Sequence, residues 1–535
     1  MLRRTLVCVA FSFFCFSNTW VELAEGEIPY FANYAPLRST LLPVIVLQAI
    51  IAALLLAAWQ VLHRRTPRMV SIAKVLFVLA CLVPAGIFSV ALLRLVPAGI
   101  TGVVQSKLFW PVAIAILVPS VVAFARRPQR LFALVAAGLL WSWPALLVVI
   151  FRAGSATLLR YPSSAYADGP LAPRLAAKPR LRVVWIVFDE LSQSLAFDHR
   201  PAGVALPNFD LLRQQSWYAS AAHSPGPSTQ ESIPALLLGR PVSLAVPGGP
   251  ASLLLTSPGQ PERLQWQDGN NVFRRARSLG VNSALVGWFH PYGRLLHRDL
   301  VACSWTAGWL LSGAEQSSFP QPLLDDVYHR IRCQMAVYPL VGHFPGYAPR
   351  SYQRQQTAER FQYLFDRAIE DVSDPGLGLV FLHLPVPHPP AIYSRTAGAY
   401  SIRGPQNYLD SLALADRTLG LLRQAVHSAG LDGQTAWIVS SDHGWRPLWR
   451  GGPDWTPEEE AVFPRSDLTA VPFFVKLPGP EQAATFDQTI NTLGTAELAL
   501  QILQGRVTIN EQIPLILQGS GLPAGQTPAI RSRKD

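Results

Sequence analysis

Charge is scarce in this 535-residue chain. Only 15% of its residues are Asp, Glu, Lys or Arg, against about 25% in soluble domains, and half are hydrophobic. That excludes a disordered chain, which combines low hydrophobicity with high charge. Acid is missing altogether from residues 28–159. A proton- or cation-coupled transport path there would normally need an intramembrane carboxylate, so a transporter or channel is disfavoured. Cysteine is rare, with five residues in all and none between 82 and 302. The formal net charge of +11 suggests nucleic acid until it is divided. Residues 1–159 hold 13 Lys/Arg and 3 Asp/Glu, whereas residues 160–535 hold 32 and 31. The positive charge belongs to the first third, and no nucleic-acid partner is expected.

That first third is mostly apolar. Five stretches stand out, roughly Leu6–Phe16, Leu41–Leu62, Val70–Leu95, Leu108–Ala125 and Leu131–Phe151. The last four have the ~20 residues needed to cross a ~30 Å hydrocarbon core. The first is short and follows Arg3 and Arg4, so it reads either as a signal peptide or as a short first anchor. Arg64, Arg65, Arg68 and Lys74 follow the second stretch, and Arg126, Arg127 and Arg130 follow the fourth. Such basic loops stay cytoplasmic. Residues 1–152 are therefore expected to be a multi-pass membrane region of the cell (inner) membrane, with the chain after residue 152 extracytoplasmic. Cys8, Cys15 and Cys81 lie in the apolar stretches as packing residues. Cys303 and Cys333 are the exported pair; a bridge and two free thiols are equally open.

Residues 153–181, with Pro162, Pro170, Pro173 and Pro179, read as a linker. Beyond it, β-branched runs alternate with helical segments. Strands are expected at Arg182–Phe188, Ser283–Trp288, Leu377–His383, Thr435–Ser440 and Val471–Lys476. Helices are expected at Pro207–Gln215, Ser232–Leu238, Asn271–Leu279, Ala358–Asp371, Asn407–Ala429 and Thr492–Leu503. This alternation predicts one α/β domain over 182–519 with a mainly parallel, buried central sheet, then a loose tail over 520–535.

Ligands in open α/β sheets bind at the carboxyl ends of strands, and three places bring polar residues there. VVWIVFDELS, residues 183–192, ends an apolar strand in Asp189 and Glu190. Adjacent buried carboxylates need a cation, although Asp189 or Ser192 could equally start a helix. IVSSDHGW, residues 438–445, carries Asp442, His443 and Gly444, which suits two ligands on one divalent metal but also reads as a surface turn. In SPGPSTQESIPALLLGR, residues 224–240, Thr229 lies just before an apolar helix. A hydroxyl there, beside a metal, could attack phosphorus; as a bland alternative, Ser228 or Thr229 merely caps the helix.

Taken in order, these motifs resemble the sulfatase group of the alkaline phosphatase superfamily. After the strand with paired acids comes Pro207-Asn208-Phe209-Asp210-Leu211-Leu212, similar to that group's Pro-Asn-x-Asp-x-Leu. The nucleophile loop follows, then Leu-Leu-x-Gly-Arg at 236–240. Ten residues separate Thr229 from Gly239, as in the sulfatase pattern. Pro387-His388-Pro389-Pro390 is similar to Pro-His-x-Pro, Asp416 lies in the helix before the Asp-His-Gly strand, and VPFFVKLPG at 471–479 resembles the next strand. The resemblance implies an α/β sandwich and an enzyme. One departure bears on the chemistry. Formylglycine sulfatases need Cys or Ser at the nucleophile, and Thr229 cannot yield the aldehyde.

Threonine is the nucleophile of the superfamily's membrane-anchored phosphotransferases, the phosphoethanolamine transferases and lipoteichoic acid synthases. Thr-x-x-Ser-x-Pro at 229–234 is similar to their loop. This resemblance implies one divalent metal ion, zinc or manganese first and calcium or magnesium as alternatives, held by Asp189, Thr229, Asp442 and His443. Glu190 either joins or orients Asp189. His383 and His388 are implied at the transferred or leaving group, a backbone-bonded core role being the alternative for His383. A phospholipid donor and an envelope glycan or lipid acceptor are the implied partners. The transferases' further histidine is missing, because no His follows His443. Arg446 or Arg450 could supply positive charge to the substrate instead. The rival readings are a sulfuric or phosphoric ester hydrolase of the same fold and a non-catalytic membrane scaffold.

Overall fold

The computed structural model describes residues 2–25, 28–31, 41–62, 66–92, 128–155, 161–176, 178–260, 262–306, 349–446, 450, 455–465, 467–480 and 483–519. The chain divides into two compact units, residues 1–166 with 309–349, and residues 167–308 with 350–535.

In the first unit the helices are Leu2–Cys15, Ser17–Glu25, Ile28–Phe31, Leu42–Leu62, Pro67–Leu92, Pro128–Trp141 and Trp143–Gly154. Two helical stretches among the described residues, Leu42–Leu62 and Phe132–Gly154, are long and apolar enough to cross a membrane. Four were expected. The third falls on Pro67–Leu92, and the fourth, Leu108–Ala125, lies outside the described residues. Inward, Val7, Phe13, Trp20, Leu23 and Leu47 form a core. Outward, Leu54, Ile72, Leu76, Leu134, Leu147 and Phe151 are each more than half exposed. Helices apolar on both sides are ill suited to water.

In the second unit the strands are β1 (Arg182–Asp189), β2 (Trp217–His223), β3 (Leu244–Gly249), β4 (Ser252–Thr256), β5 (Leu264–Gln265), β6 (Ser283–Trp288), β7 (Ala302–Thr306), β8 (Leu379–Pro387), β9 (Tyr393–Ser394), β10 (Ala399–Tyr400), β11 (Thr435–Ser441), β12 (Ala470–Lys476), β13 (Ala484–Phe486) and β14 (Ile490–Asn491). The main sheet runs β13-β2-β12-β11-β1-β8-β6-β7, and β14 also pairs with β2. From β11 to β7 all neighbours are parallel. β12 is antiparallel to both β11 and β2, so the sheet is mixed. Every residue of β1, β6, β8 and β11 is buried, as expected when helices cover both faces. Val184, Ile186 and Phe188 pack with residues of helices Pro207–Gln215, Pro349–Ser373 and Tyr408–Ser428. On the other face Phe381 meets Trp185 and Phe273 edge-on.

All five expected strands are present. In the main sheet β2, β7, β13 and β14 are additions, and the short β3, β4, β5, β9 and β10 lie outside it. β2 reads Trp-Tyr-Ala-Ser-Ala-Ala-His, with little strand propensity of its own. It is held by its neighbours instead, Tyr218 stacking on Phe474 of β12 at 4.8 Å. Helix Thr229–Leu238 begins three residues earlier than expected. Thr229 is thus its first residue and not the residue before it. Part of the segment read as a linker is built onto the domain. The Ala172 N–H donates to Leu300 O at 2.8 Å and the Leu175 N–H to Asn282 Oδ1 at 2.9 Å. Residues 520–535 and Cys333 lie outside the described residues, and Cys303 is a free thiol.

Candidate active site

Parallel strands end side by side, so residues far apart in sequence meet at one sheet edge. Asp189 ends β1, and Asp442 and His443 directly follow β11, its parallel neighbour. His383 lies on β8, opposite Val187 of β1. Thr229 opens the helix that follows β2. After Asp189 the chain turns through Glu190, a non-glycine residue at φ +66°, a conformation that costs of order 1–3 kcal/mol and persists only where its surroundings enforce it. The Glu190 N–H donates to Asp442 Oδ1 at 3.3 Å, and its carbonyl accepts from the Tyr408 hydroxyl.

His443 donates from Nδ1 to the Gly444 carbonyl at 2.8 Å, which leaves a lone pair on Nε2. Burial lowers the His443 pKa and favours that neutral ring. Nε2 lies 3.5 Å from Asp189 Oδ1 and 3.5 Å from Asp442 Oδ2. Thr229 Oγ1 lies 3.3 Å from the same Nε2 and 3.4 Å from Asp189 Oδ2. Ser228 forms no side-chain cap; its hydroxyl bonds the Glu231 carboxylate. The Thr229 hydroxyl faces the acids instead of the helix backbone.

Among the described residues, Asp189 Oδ1, Asp442 Oδ2, His383 Nε2 and Glu190 Oε2 are buried here with no hydrogen-bond partner. Burial, then Asp442 and Glu190, push Asp189 well above the usual carboxylate range. Two facing buried carboxylates are costly unless a cation joins them. Asp189, Asp442 and His443 each offer one ligand atom, all within 4.8 Å of one another. Ligands of a tetrahedral ion held at ~2.1 Å stand about 3.4 Å apart, close to the 3.5 Å separations from His443 Nε2. The residues fit a divalent cation.

The remaining expected residues fall in different places. Glu190 is outside the ligand group, and its Oε1 pairs with Arg446 Nε at 2.6 Å. Burial works against the Arg446 charge, but Glu190 and Asp189 outweigh it and raise its pKa. Burial raises Glu190 to about 7 despite that pairing. His388 is buried, its Nδ1 2.6 Å from Pro389 O and its ring 5.1 Å from that of Trp288. Burial, with Arg446 adding to it, lowers His388 to about 3. His383 Nε2 points to the acids, 3.9 Å from Asp189 Oδ2 and 3.8 Å from Asp442 Oδ2. Arg450 is not brought to the site; it pairs with Glu460 at the surface.

Two residues were not foreseen. His290 Nε2 lies 3.3 Å from the Thr229 carbonyl oxygen, and burial lowers its pKa to about 3, so the neutral ring donates there. The Tyr292 hydroxyl lies 2.9 Å from His383 Nδ1. Both follow the end of β6. A signal was present, because polar residues after a buried strand were the criterion at Asp189 and Asp442, but no carboxylate marks this one.

The sulfatase family model matches residues 182–505, which holds the helix that Thr229 opens, the Asp189, Asp442 and His443 group, and both histidines of β8 and its loop. The chain belongs to the sulfatase family. Comparison with curated proteins returned no match. Among solved structures, the phosphonate monoester hydrolase of Agrobacterium radiobacter is similar, with 16% identity over 65% of this chain and 78% of that one, at a TM-score of 0.39. The PsFucS1 sulfatase from Pseudoalteromonas sp. shares 16% identity over 66% and 70%, at 0.37. An alkaline phosphatase superfamily protein of Vibrio parahaemolyticus shares 13% over 63% and 71%, at 0.36. This sulfatase-family chain is an enzyme of the alkaline phosphatase superfamily.

Proposed function

We propose that this sulfatase-family enzyme is anchored in the cell membrane by its first unit and works outside it. There it moves a phospholipid head group to an envelope glycan or lipid through Thr229. The observation that carries this reading is the Thr229 hydroxyl, which stands at a helix N-terminus beside Asp189 and His443. Cysteine or serine, the aldehyde precursor, is absent from that position. Anchoring is supported by the two apolar helical stretches, by the outward apolar side chains and by the basic loops, which set the orientation.

Asp189, Asp442 and His443 would hold a divalent cation, which when bound would supply positive charge that favours the ionised form of the Thr229 hydroxyl. Thr229 Oγ1 then bonds to phosphorus and gives up its proton to water. The bond from phosphorus to the diacylglycerol oxygen breaks, and diacylglycerol takes up a proton as it leaves. An acceptor hydroxyl next bonds to phosphorus, loses its proton, and displaces Thr229. The helix N-terminus favours the charge on the phosphoryl oxygens. His383 and His388 hydrogen-bond the group in transfer, and Arg446 adds positive charge beside it.

The test uses full-length protein in detergent with a fluorescent phospholipid, with and without chelator, beside Thr229→Ala. Metal-dependent diacylglycerol from the wild type alone supports the reading. A head group released to water, with no acceptor product, makes the enzyme a hydrolase. Aryl-sulfate cleavage that survives Thr229→Ala overturns the threonine nucleophile.

A further inference from the structure

The histidine at the centre of the sheet edge is held from behind. His383 on β8 stands in register with Gly287 on β6. Gly287 has no side chain, and the Tyr292 ring occupies that space; a Cβ there would come within 2.5 Å of Tyr292 Cε2. Tyr292 is fully buried, and its hydroxyl reaches His383 Nδ1 at 2.9 Å. The chain between them is tightly specified. Phe289 sits at φ +75°, which is costly for a bulky residue. The Phe289 N–H donates to Thr306 O at 3.0 Å, and the Tyr292 N–H to His290 O at 2.8 Å. The buried Trp266 packs edge-on against both His290 and Tyr292.

We propose that Tyr292 is a positioning residue for His383, and that Gly287 is the space that admits it. The Tyr292 hydroxyl donates to Nδ1, so the ring keeps its proton on Nε2. That choice follows from what Nε2 faces. It has no hydrogen-bond partner, and the atoms before it are carboxylate oxygens of Asp189 and Asp442 at 3.9 and 3.8 Å. An N–H is attracted to them, whereas a lone pair is repelled. His383 thus stands outside the Asp189, Asp442 and His443 group as a hydrogen-bond donor. Its natural recipient is a negatively charged oxygen of the ester being split. The inference rests on the reading of this site as a phosphoryl-transfer centre, but its structural half does not.

The experiment is a solid-state nitrogen-15 spectrum of histidine-labelled full-length protein in lipid, with His383 assigned by difference from His383→Gln. Wild type is expected to show His383 as one tautomer, protonated at Nε2. Tyr292→Phe removes only the hydroxyl and should give a mixture of tautomers. Gly287→Ala, which displaces the ring, should give the same mixture. In the phospholipid assay Tyr292→Phe should lower kcat about 10- to 100-fold, the usual cost of losing such an orienting partner. KM should stay within about twofold. In a His383→Gln background the same change should cost nothing further, because the two act as one unit.

A His383 protonated at Nδ1 in the wild type, or a single Nε2–H form that survives Tyr292→Phe, overturns the proposal. So does a kcat loss that adds to that of His383→Gln, which would make Tyr292 a packing residue only. Turnover of no ester by the wild type, with the tautomer shift still seen, would sink the transfer reading and leave the positioning role standing.

Discussion

With no cation in the Asp189, Asp442 and His443 group, the buried acids Asp189 and Glu190 should cost stability as the pH rises, and a bound cation should abolish part of that loss. Asp189 and Glu190 both have folded pKa values above their ordinary ones, mainly through burial. The folded state then keeps protons that the unfolded chain releases. Stability is full below the unfolded pKa and drains away as the pH climbs through the folded one. For Glu190 that window runs from 4.5 to about 7. The part above pH 5.5 is worth about 2 kcal/mol, or about 3 °C in Tm for a domain of this size. Asp189 adds loss of the same sign. Glu190 lies outside the ligand group, as do Asp371 and Asp416, raised to about 7 and about 6, and His290 and His388, lowered to about 3 and acting with the opposite sign; their shares persist with metal bound, and the cation acts on that of Asp189. The readout is therefore a difference. Full-length protein is unfolded thermally in detergent at pH 5.5 and pH 8, in chelator and in excess zinc or manganese. A cation at 100 times its Kd adds about 2.7 kcal/mol, so the metal-induced rise in Tm should be about 4 °C at pH 8 and much smaller at pH 5.5. Asp442→Asn should remove the rise. An equal rise at both pH values would refute the facing-carboxylate account.

Thr229→Ala should lower turnover by at least roughly three orders of magnitude without lowering bound metal measured by atomic emission, while Thr229→Ser should retain measurable activity because a hydroxyl remains. A Cβ on Gly444 would run into the Asp467 carbonyl oxygen, so Gly444→Ala should displace His443 and reduce metal content in the same measurement. Arg182 is buried at the start of β1 and bonds the carbonyls of Leu377, Val372 and Asp374 at 2.8–3.0 Å. Arg182→Met removes the buried donor from all three, although Asp374 O keeps the Leu377 N–H at 3.2 Å, and should cost about 3 kcal/mol in thermal unfolding, with the metal stoichiometry unchanged. The full chain should stay with membranes through an alkaline wash, and protease added outside should degrade the part beyond residue 166.

The parts of the fold visible in the sequence were those whose burial is uniform. β1, β6, β8 and β11 are covered on both faces, and each is written as a nearly unbroken apolar run. β2 was invisible because its pattern is set by partners, its Tyr218 stacking on a residue some 250 positions later. The same distinction holds at the site. Asp189, Asp442 and His443 were legible as candidates because each strand end carries a carboxylate, and it was the order of the motifs that set them apart from a helix cap or a surface turn. The role of Glu190 was not, because its partner Arg446 is 256 residues away and only the folded chain shows that the pair meets. Arg450 and Arg446 are equally basic in sequence. What separates them is that one has Glu460 beside it at the surface and the other has Glu190 in the interior.

The pairing of Glu190 with Arg446 also bears on how a single cation could suffice. The second acid of the Asp189-Glu190 pair is occupied by a guanidinium at 2.6 Å. Arg446 is a fixed positive charge held next to the ligand group, and it remains about a quarter exposed. It thus compensates Glu190 from one side while presenting N–H donors outward, where a phosphoryl oxygen could accept them. The absence of any histidine after His443 is then consistent with the site, because the charge another cation would bring is supplied by an arginine that never dissociates. Arg446→Gln should accordingly weaken ester binding, seen as a higher KM. It should also raise the Glu190 pKa further, seen as a larger fall in the chelated Tm between pH 5.5 and pH 8. A Tm fall unchanged from wild type would show that Glu190 does not depend on Arg446 for its charge.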